Sequence, residues 1–231
     1  MAVTITARGS GTSTTDAATT GSFTPAANSV LFVIAGSYRI LATPGTPTPS
    51  DSLSPDLTYT QRSNFTYTEG FATGRQTTWT APPGASPSSM TITSTWPQTQ
   101  SRCGVFVDEA GGADDSTPLQ QAVATNTVNN ATPTATLASA ITDGNGVYMA
   151  GFNAGTGTSQ TPESGYTGVR YTELAADADG FSIFDDSTTD TTPSTTISSQ
   201  RWAVTAFEIK VAAAPGGATY PGWYGQRGGW W

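Results

Sequence analysis

The sequence predicts an all-β chain that folds as an antiparallel β-sandwich, and three observations lead to this fold class. Short runs rich in Val, Ile, Thr and aromatic residues recur along the 231 residues, with Gly, Pro, Asn and Asp between them. No stretch has the apolar spacing of an amphipathic helix. The two halves of the chain also contain similar segments in the same order.

Six segments of the first half have the composition or the alternation of a β-strand. They are Val3–Thr6, Val30–Gly36, Leu57–Arg62, Arg75–Thr80, Met90–Thr93 and Val105–Val107. The second of them is apolar throughout, which is typical of a strand buried on both faces. Two Pro-rich segments, Thr43–Ser50 and Ala81–Pro87, predict exposed loops between the strands.

Six segments of the second half have the same strand character. They are Thr134–Leu137, Val147–Phe152, Tyr166–Leu174, Phe181–Phe184, Thr195–Ser198 and Trp202–Val211. A short loop helix near Thr117–Val123 is also compatible with the sequence.

Four segments of the first half have counterparts in the second. The pairs are Asn28–Gly36 with Asn145–Gly151, Leu57–Thr60 with Gly165–Thr167, Ser89–Ser94 with Thr195–Ser199, and Gly104–Glu109 with Ala203–Ile209. A jelly roll has such pseudo-symmetry because similar strand sets build its two sheets, and the alternative is chance similarity within a Thr- and Val-rich chain. We expect a jelly-roll sandwich with long loops at 21–212, preceded by an N-terminal arm or edge strand at 1–20.

The segment 213–231 predicts an extended aromatic docking tail. Gly and Pro deny it a helix or a strand of its own, while burying one Trp side chain stabilises by about 2–3 kcal/mol. Interface hot spots are rich in Trp, Tyr and Arg. The candidate partner-binding residues are therefore Tyr220, Trp223, Tyr224, Arg227, Trp230 and Trp231. We expect them to bind a neighbouring protein, and the alternative is that the tail covers an edge strand of its own domain.

Charge and composition argue against several classes of partner. The net charge is −8 and Lys210 is the one lysine, so the chain lacks the basic stripe that binds nucleic acid or an anionic membrane. No apolar run is long enough to span a bilayer, and the N-terminus has no signal-peptide pattern. Cys103 has no cysteine to pair with, and we expect it to be a buried small residue.

The sequence offers little for catalysis, metal or cofactor binding. It has no histidine, which removes the usual Ser and Cys triads and the common zinc sites, and it has no P-loop. Asp177–Gly180 opens like a calcium loop, but Thr188 stands where that loop requires Glu. A glycosidase would need two facing carboxyls about 5–10 Å apart. The candidate pairs are Asp108/Glu109, Asp114/Asp115, Asp177/Asp179 and Asp185/Asp186. We expect no enzyme, no cofactor and no metal.

The aromatic residues before the tail fall into two groups. Three tryptophans in or beside strands are expected to pack in the core or on a sheet surface: Trp79, Trp96 and Trp202. Four rings in Thr-rich segments are candidates for a ligand face: Tyr38, Tyr59, Phe65 and Tyr67.

Several runs resemble a loose group of phage and bacterial surface domains. They are Gly21–Val33, Gln76–Pro82, Gly104–Gly111, Ser116–Pro118 and Trp202–Lys210. Together they look like the jelly-roll modules of tailed-phage virions, which occur as minor tail or fibre proteins and as capsid decoration proteins. The resemblance covers roughly 20–212, and the tail after Ala214 lies outside it.

The resemblance implies a non-enzymatic structural protein on the exterior of a bacteriophage particle, either a capsid decoration protein or a minor tail component. It implies synthesis in the cytoplasm of a host bacterium and other virion proteins, major capsid or tail proteins, as partners. A homo-oligomer held by the terminal segments is expected. The alternative is a carbohydrate-binding adhesin that attaches to a host-surface glycan.

Overall fold

A computed structural model describes residues 2–69, 72–153, 160–175, 178–186, 189–197 and 200–213. These residues form antiparallel strands and no helix, which confirms the predicted all-β class. The strands are β1 (Thr4–Ser13), β2 (Ala17–Thr19), β3 (Val30–Ile40), β4 (Thr48–Asp51), β5 (Thr60–Glu69), β6 (Ala72–Ala81), β7 (Ile92–Thr95), β8 (Arg102–Gly111), β9 (Ala124–Asn130), β10 (Gly146–Asn153), β11 (Gln160–Pro162), β12 (Thr167–Ala175), β13 (Ala178–Asp185), β14 (Thr195–Ile197) and β15 (Gln200–Ile209).

Two five-stranded sheets form the body of the molecule. The N-terminal half, β1–β8, contributes the order β1-β8-β3-β6-β5, and the C-terminal half, β9–β15, contributes β9-β15-β10-β13-β12. The two orders are the same when β1, β8, β3, β6 and β5 are matched with β9, β15, β10, β13 and β12. A small sheet accompanies each half, β2-β7-β4 in the first and β11-β14 in the second.

The likeness of the halves extends to residue pairing. Phe32 on β3 pairs with Asp108 on β8, and their counterparts Tyr148 on β10 and Phe207 on β15 pair in the same way. The segments Asn28–Gly36 and Gly104–Glu109 and their partners in the second half thus lie on equivalent strands, β3 with β10 and β8 with β15. In β3 and β10 the register makes Gly36 equivalent to Phe152 rather than to Gly151, the last residue of the matched segment.

A register shift occurs at the same point in both halves. It lies between Gln61 and Ser63 where β5 pairs with β6, and between Gly168 and Arg170 where β12 pairs with β13. Ser63 and Arg170 therefore occupy equivalent positions, as do the bulged residues Arg62 and Val169.

The two five-stranded sheets pack face to face around a central apolar cluster. The ring of Phe32 lies 5.2 Å, centroid to centroid, from both Tyr148 and Phe207. Near the middle of the interface, Gly36 faces Phe152, its own counterpart in the second half, and a Cβ on Gly36 would lie 2.0 Å from the Phe152 ring. The glycine therefore leaves the space that the opposing ring fills.

Two outer clusters complete a stack of four layers. One lies between the first large sheet and β2-β7-β4 and contains Trp79 and Trp96. The other covers the outer face of the second large sheet and contains Trp202 and Ile197. The central strands of each large sheet are thus buried on both faces, which explains their continuously apolar sequence.

Several strand predictions differ from the structure. Thr134–Leu137 is not a strand: Thr134 forms an isolated bridge with Ser194, and Leu137 donates its backbone N–H to the Thr191 carbonyl at 2.8 Å. Ala135 and Leu137 are buried in the outer cluster of the second half. Thr117–Val123 contains no helix.

Part of the predicted Thr43–Ser50 loop is the strand β4. Its Pro49 is tolerated because β4 is an edge strand, where a missing N–H need not break a ladder. The short strands β2, β9 and β11 were not predicted from the sequence.

Candidate functional site

The predicted partner-binding residues lie outside the described part of the chain. They are Tyr220, Trp223, Tyr224, Arg227, Trp230 and Trp231. The described chain ends at Ala213, immediately after Ala212 donates its backbone N–H to the Gly112 carbonyl at 2.8 Å. The described chain therefore ends beside the segment that joins the two halves.

The most concentrated polar chemistry lies inside the central interface. Asp108 of the N-terminal half is fully buried and accepts hydrogen bonds from three residues of the C-terminal half. Its Oδ2 accepts from Ser182 Oγ at 2.6 Å and Tyr148 Oη at 2.8 Å. Its Oδ1 accepts from Arg170 Nε at 3.0 Å.

The Arg170 guanidinium is held on several sides. Its Nη2 donates to the Val107 carbonyl at 3.0 Å, and its Cζ lies 5.3 Å from the centroid of the Phe106 ring. Burial, followed by the negative charge of Asp108, raises the pKa of Tyr148 well above its ordinary value, so Tyr148 stays a neutral donor. The network ties the two halves together and is almost wholly buried.

A second pair of buried carboxylates, Glu109 and Glu208, occupies equivalent positions on β8 and β15. Each accepts a backbone N–H from the loop that precedes the central strand of its half. Glu109 accepts from Ala26 at 3.1 Å, and Glu208 accepts from Thr142 at 2.7 Å. Each carboxylate therefore holds the loop of its half against the large sheet.

Side-chain partners complete both sites. Arg8 Nε donates to Glu109 at 2.8 Å, whereas Asn145 Nδ2 and Gln121 Nε2 donate to Glu208 at 2.8 and 2.6 Å. Burial alone would raise the pKa of Glu208, but its hydrogen bonds outweigh burial and lower the pKa below the ordinary value.

These contacts decide whether the acidic pairs could act as catalytic carboxylates. Asp108 and Glu109 are adjacent on one strand and point to opposite faces of the sheet, so they cannot face each other across a sugar. Asp114 pairs with Lys210 at 2.8 Å, and this hydrogen bond is the largest cause that lowers its pKa. Asp177 lies outside the described residues, and Asp179 is buried.

No group of three or more acidic or Cys side chains in the described ranges could hold a metal ion. Cys103 is buried, as predicted, and burial raises the pKa of its thiol to about 12, so it is not a nucleophile at neutral pH.

The tryptophans before the tail are buried, in agreement with the sequence prediction: Trp79, Trp96 and Trp202. Of the four candidate ligand-face rings, Tyr67 is buried and Phe65 packs against the central cluster. Tyr59 is half-buried and donates to Asp51 at 2.9 Å, and Tyr38 is half-buried on β3. None of these rings forms an exposed stacking platform.

Two grooves open where the sheet edges of the halves meet, and they occupy equivalent places. The β1–β12 groove has a volume of about 290 Å³. Its lining combines four apolar residues with polar and acidic ones: Val3, Ile5, Val169 and Phe184 with Thr4, Thr167, Asp185 and Asp186. Val3 and Phe184 are buried members of the central cluster, and Ile5 and Val169 pack against it, so the groove lies over the edge of the core.

The β5 groove is the counterpart in the other half of the interface. It has a volume of about 120 Å³. Arg62 and Thr80 replace Val169 and Phe184, and Arg62 Nε donates to Thr80 Oγ1 at 2.7 Å. The lining of the β5 groove also includes the apolar Val30, Pro82 and Pro118, so both grooves have mixed polar and apolar walls.

Comparison with protein-family models, with curated proteins and with solved structures finds no match. In the part of the chain that the structure describes, no helix is long and apolar enough to cross a membrane.

Proposed function

We propose that the chain is a non-enzymatic structural protein on the exterior of a bacteriophage particle, either a capsid decoration protein or a minor tail component. The observation that carries the proposal is the repeated strand order of the two halves. A protein built from two fused sandwich-like units with all four layers packed on one another is suited to presenting stable surfaces for assembly.

We further propose that each half is a variant of the jelly roll, a fold used by viral capsid proteins and lectins. A jelly roll places its strands 1, 8, 3 and 6 in one sheet and 2, 7, 4 and 5 in the other. The N-terminal half has β1-β8-β3-β6 in its large sheet and β2-β7-β4 in its small one. The departure is β5, which pairs with β6 in the large sheet.

The chemistry of the described residues supports a role in contact rather than in turnover. Asp108, Glu109 and Glu208 are buried and hydrogen-bonded, so they act as structural anchors. The aromatic tail supplies the docking side chains, and we propose other virion proteins and further copies of this chain as its partners.

The test uses particles of a phage that encodes the chain. Antibody labelling of intact particles should detect the protein on the surface, and a stained gel should show hundreds of copies for decoration or a few for a tail component. Deletion of Ala218–Trp231 should abolish incorporation while the domain stays folded. Particles without the protein, or normal incorporation of the truncated chain, would contradict the proposal.

The alternative, an adhesin that binds a host-surface glycan, has less support. Sugar binding by lectins relies on exposed rings and polar groups, and the candidate rings in the described residues are buried or half-buried. Binding of the soluble protein to host cells, with competition by a free glycan, would favour the adhesin.

A further inference from the structure

The β5 groove is lined by two opposite charges that do not pair with each other. Arg62 lies half-buried at the bulge of β5, and Asp115 lies exposed in the segment that joins the two halves. Arg62 Nε donates to Thr80 Oγ1 at 2.7 Å. Among the described residues, the two terminal nitrogens of its guanidinium have no protein acceptor, so they can donate to a ligand in the groove.

The charges next to the groove are already paired and do not compensate these two. Asp114 forms an ion pair with Lys210 at 2.8 Å and accepts a hydrogen bond from Ser116 Oγ at 2.7 Å. In the described ranges, no ion pair involves Asp115. Burial lowers the pKa of Arg62, as expected for a cation that is partly removed from water without a carboxylate beside it.

The fold does not require a charge at position 62. The bulged residue at the equivalent position of the second half is Val169, and Phe184 stands there in place of Thr80. A bulge turns a side chain out of the regular alternation of its strand, and in β5 it turns Arg62 into the groove. The guanidinium is therefore a feature of this groove rather than of the repeated architecture.

The size and charge of the groove restrict its ligand. Its volume of about 120 Å³ is well below the 300–1,000 Å³ or so of pockets for drug-sized molecules, so it suits a ligand of a few atoms. A simple anion would approach Asp115, and a simple cation would approach Arg62, so each would meet one unfavourable charge. A molecule that carries both charges satisfies both side chains. The walls add hydroxyl groups and proline rings: Thr58, Thr60, Ser116, Pro82 and Pro118.

We propose that the β5 groove binds a small zwitterion of the α-amino acid class. Its carboxylate accepts hydrogen bonds from the terminal nitrogens of Arg62, and its ammonium group donates to Asp115. A short apolar side chain lies against Pro82 and Pro118. The inference goes beyond the proposed function and does not depend on the phage assignment.

Nuclear magnetic resonance titration of the full-length chain tests the ligand class. L-Alanine is the probe, and propionate and ethylamine are the matched molecules that lack one of its two charges. L-Alanine should shift the backbone amide signals of Thr60 and Ser116 in a saturable way. Propionate and ethylamine should bind at least about ten-fold more weakly, because each loses the hydrogen bonds to one charged side chain.

Variants test the two charged side chains. Arg62→Val, which installs the residue type found at position 169, should weaken L-alanine binding by about ten-fold or more. Arg62→Lys should weaken it less, because it keeps the charge but loses the fork of donors. Asp115→Asn, at an exposed position, should weaken it only a few-fold.

Two control variants make the same changes in charge away from the groove. Arg39→Val removes a cation that donates to Gln98, and Asp186→Asn removes an acid from the β1–β12 groove. Both should leave the affinity for L-alanine unchanged. Thermal unfolding of every variant checks that the domain stays folded.

Four results would overturn the proposal. They are the absence of saturable shifts with L-alanine, equal affinity for L-alanine and propionate, unchanged binding by Arg62→Val, and an energetic coupling between Arg62 and Asp115 in urea unfolding of the free chain. The last result would mean that the two side chains pair with each other and close the groove. Failure of particle incorporation, by contrast, would concern only the proposed function.

Discussion

The two sides of the central interface have the same strands in the same order but different chemistry. On one side, Asp108 meets Arg170 in a buried ion pair. On the other side, Phe207 is equivalent to Asp108 and packs on the ring of Phe32. Ser63 is equivalent to Arg170 and forms a hydrogen bond with Thr205 at 3.3 Å. The two halves therefore share the same strand order and register. The side chains that meet at their interface differ between the halves and complement each other.

The difference has a consequence for pairing. Two copies of the N-terminal half would bury Asp108 without Arg170, and two copies of the C-terminal half would bury Arg170 without Asp108. A buried unpaired charge is strongly unfavourable, so the ion pair selects the pairing of unlike halves.

The largest expected effect concerns the closest contact between the halves. Gly36→Phe should prevent folding, because even a Cβ there would lie 2.0 Å from the Phe152 ring. Phe152→Gly should lower the free energy of unfolding by about 3–5 kcal/mol, since it leaves a cavity. Because the two positions are equivalent across the interface, the exchanged double variant should fold again, as measured by thermal unfolding. A double variant no more stable than Gly36→Phe alone would contradict the equivalence.

The next effect tests the ion pair. Asp108→Leu or Arg170→Met alone should lower the free energy of unfolding by about 3–5 kcal/mol, because each leaves a buried charge unpaired. The double variant should cost much less than the sum, as determined by a double-mutant cycle in urea. Lys210→Met, which removes an exposed pair with Asp114, is the control and should cost about 0–1 kcal/mol. Additive costs for Asp108 and Arg170 would show that the pair does not act as a unit.

A smaller effect is expected at Glu208, which holds the loop before β10. The lowered pKa of Glu208 means that its stabilising contribution is present above the ordinary pKa of 4.5 and is lost as the pH falls through the lowered value. Urea unfolding at a series of acidic pH values should therefore give a shallower loss of stability for Glu208→Gln than for the wild type. At neutral pH the substitution should cost about 1–3 kcal/mol. Identical acid profiles would exclude this role.

The smallest effect concerns reactivity rather than stability. Because the pKa of the Cys103 thiol is raised to about 12, the native protein should react very slowly with a thiol reagent at pH near 8. Unfolded protein should react fast, and since Cys103 is the only cysteine the signal is unambiguous. Fast reaction of the native protein would show that the outer layer of the N-terminal half opens.

The sequence predicts the parts of the fold that depend on local pattern. The strands β3, β8, β10 and β15 were recognisable because they are buried on both faces and therefore apolar. Even the equivalence of Glu109 and Glu208 was visible in the similarity of Gly104–Glu109 to Ala203–Ile209. The strand β4 was missed because its Pro49 is typical of a loop.

Features that depend on how the halves meet could not be predicted. Asp108 and Arg170 are 62 residues apart, and nothing local pairs them. The β1–β12 groove likewise exists only because two sheet edges from different halves come together, so no local pattern in the sequence marks it.

The central claim is that two like halves pack their large sheets face to face. Nuclear Overhauser effects between the ring protons of Phe32 and Phe207 test it most directly, because these rings belong to different halves and their centroids are 5.2 Å apart. The structure predicts strong cross-peaks between them in the folded protein. Their absence, with both halves folded, would contradict the face-to-face arrangement.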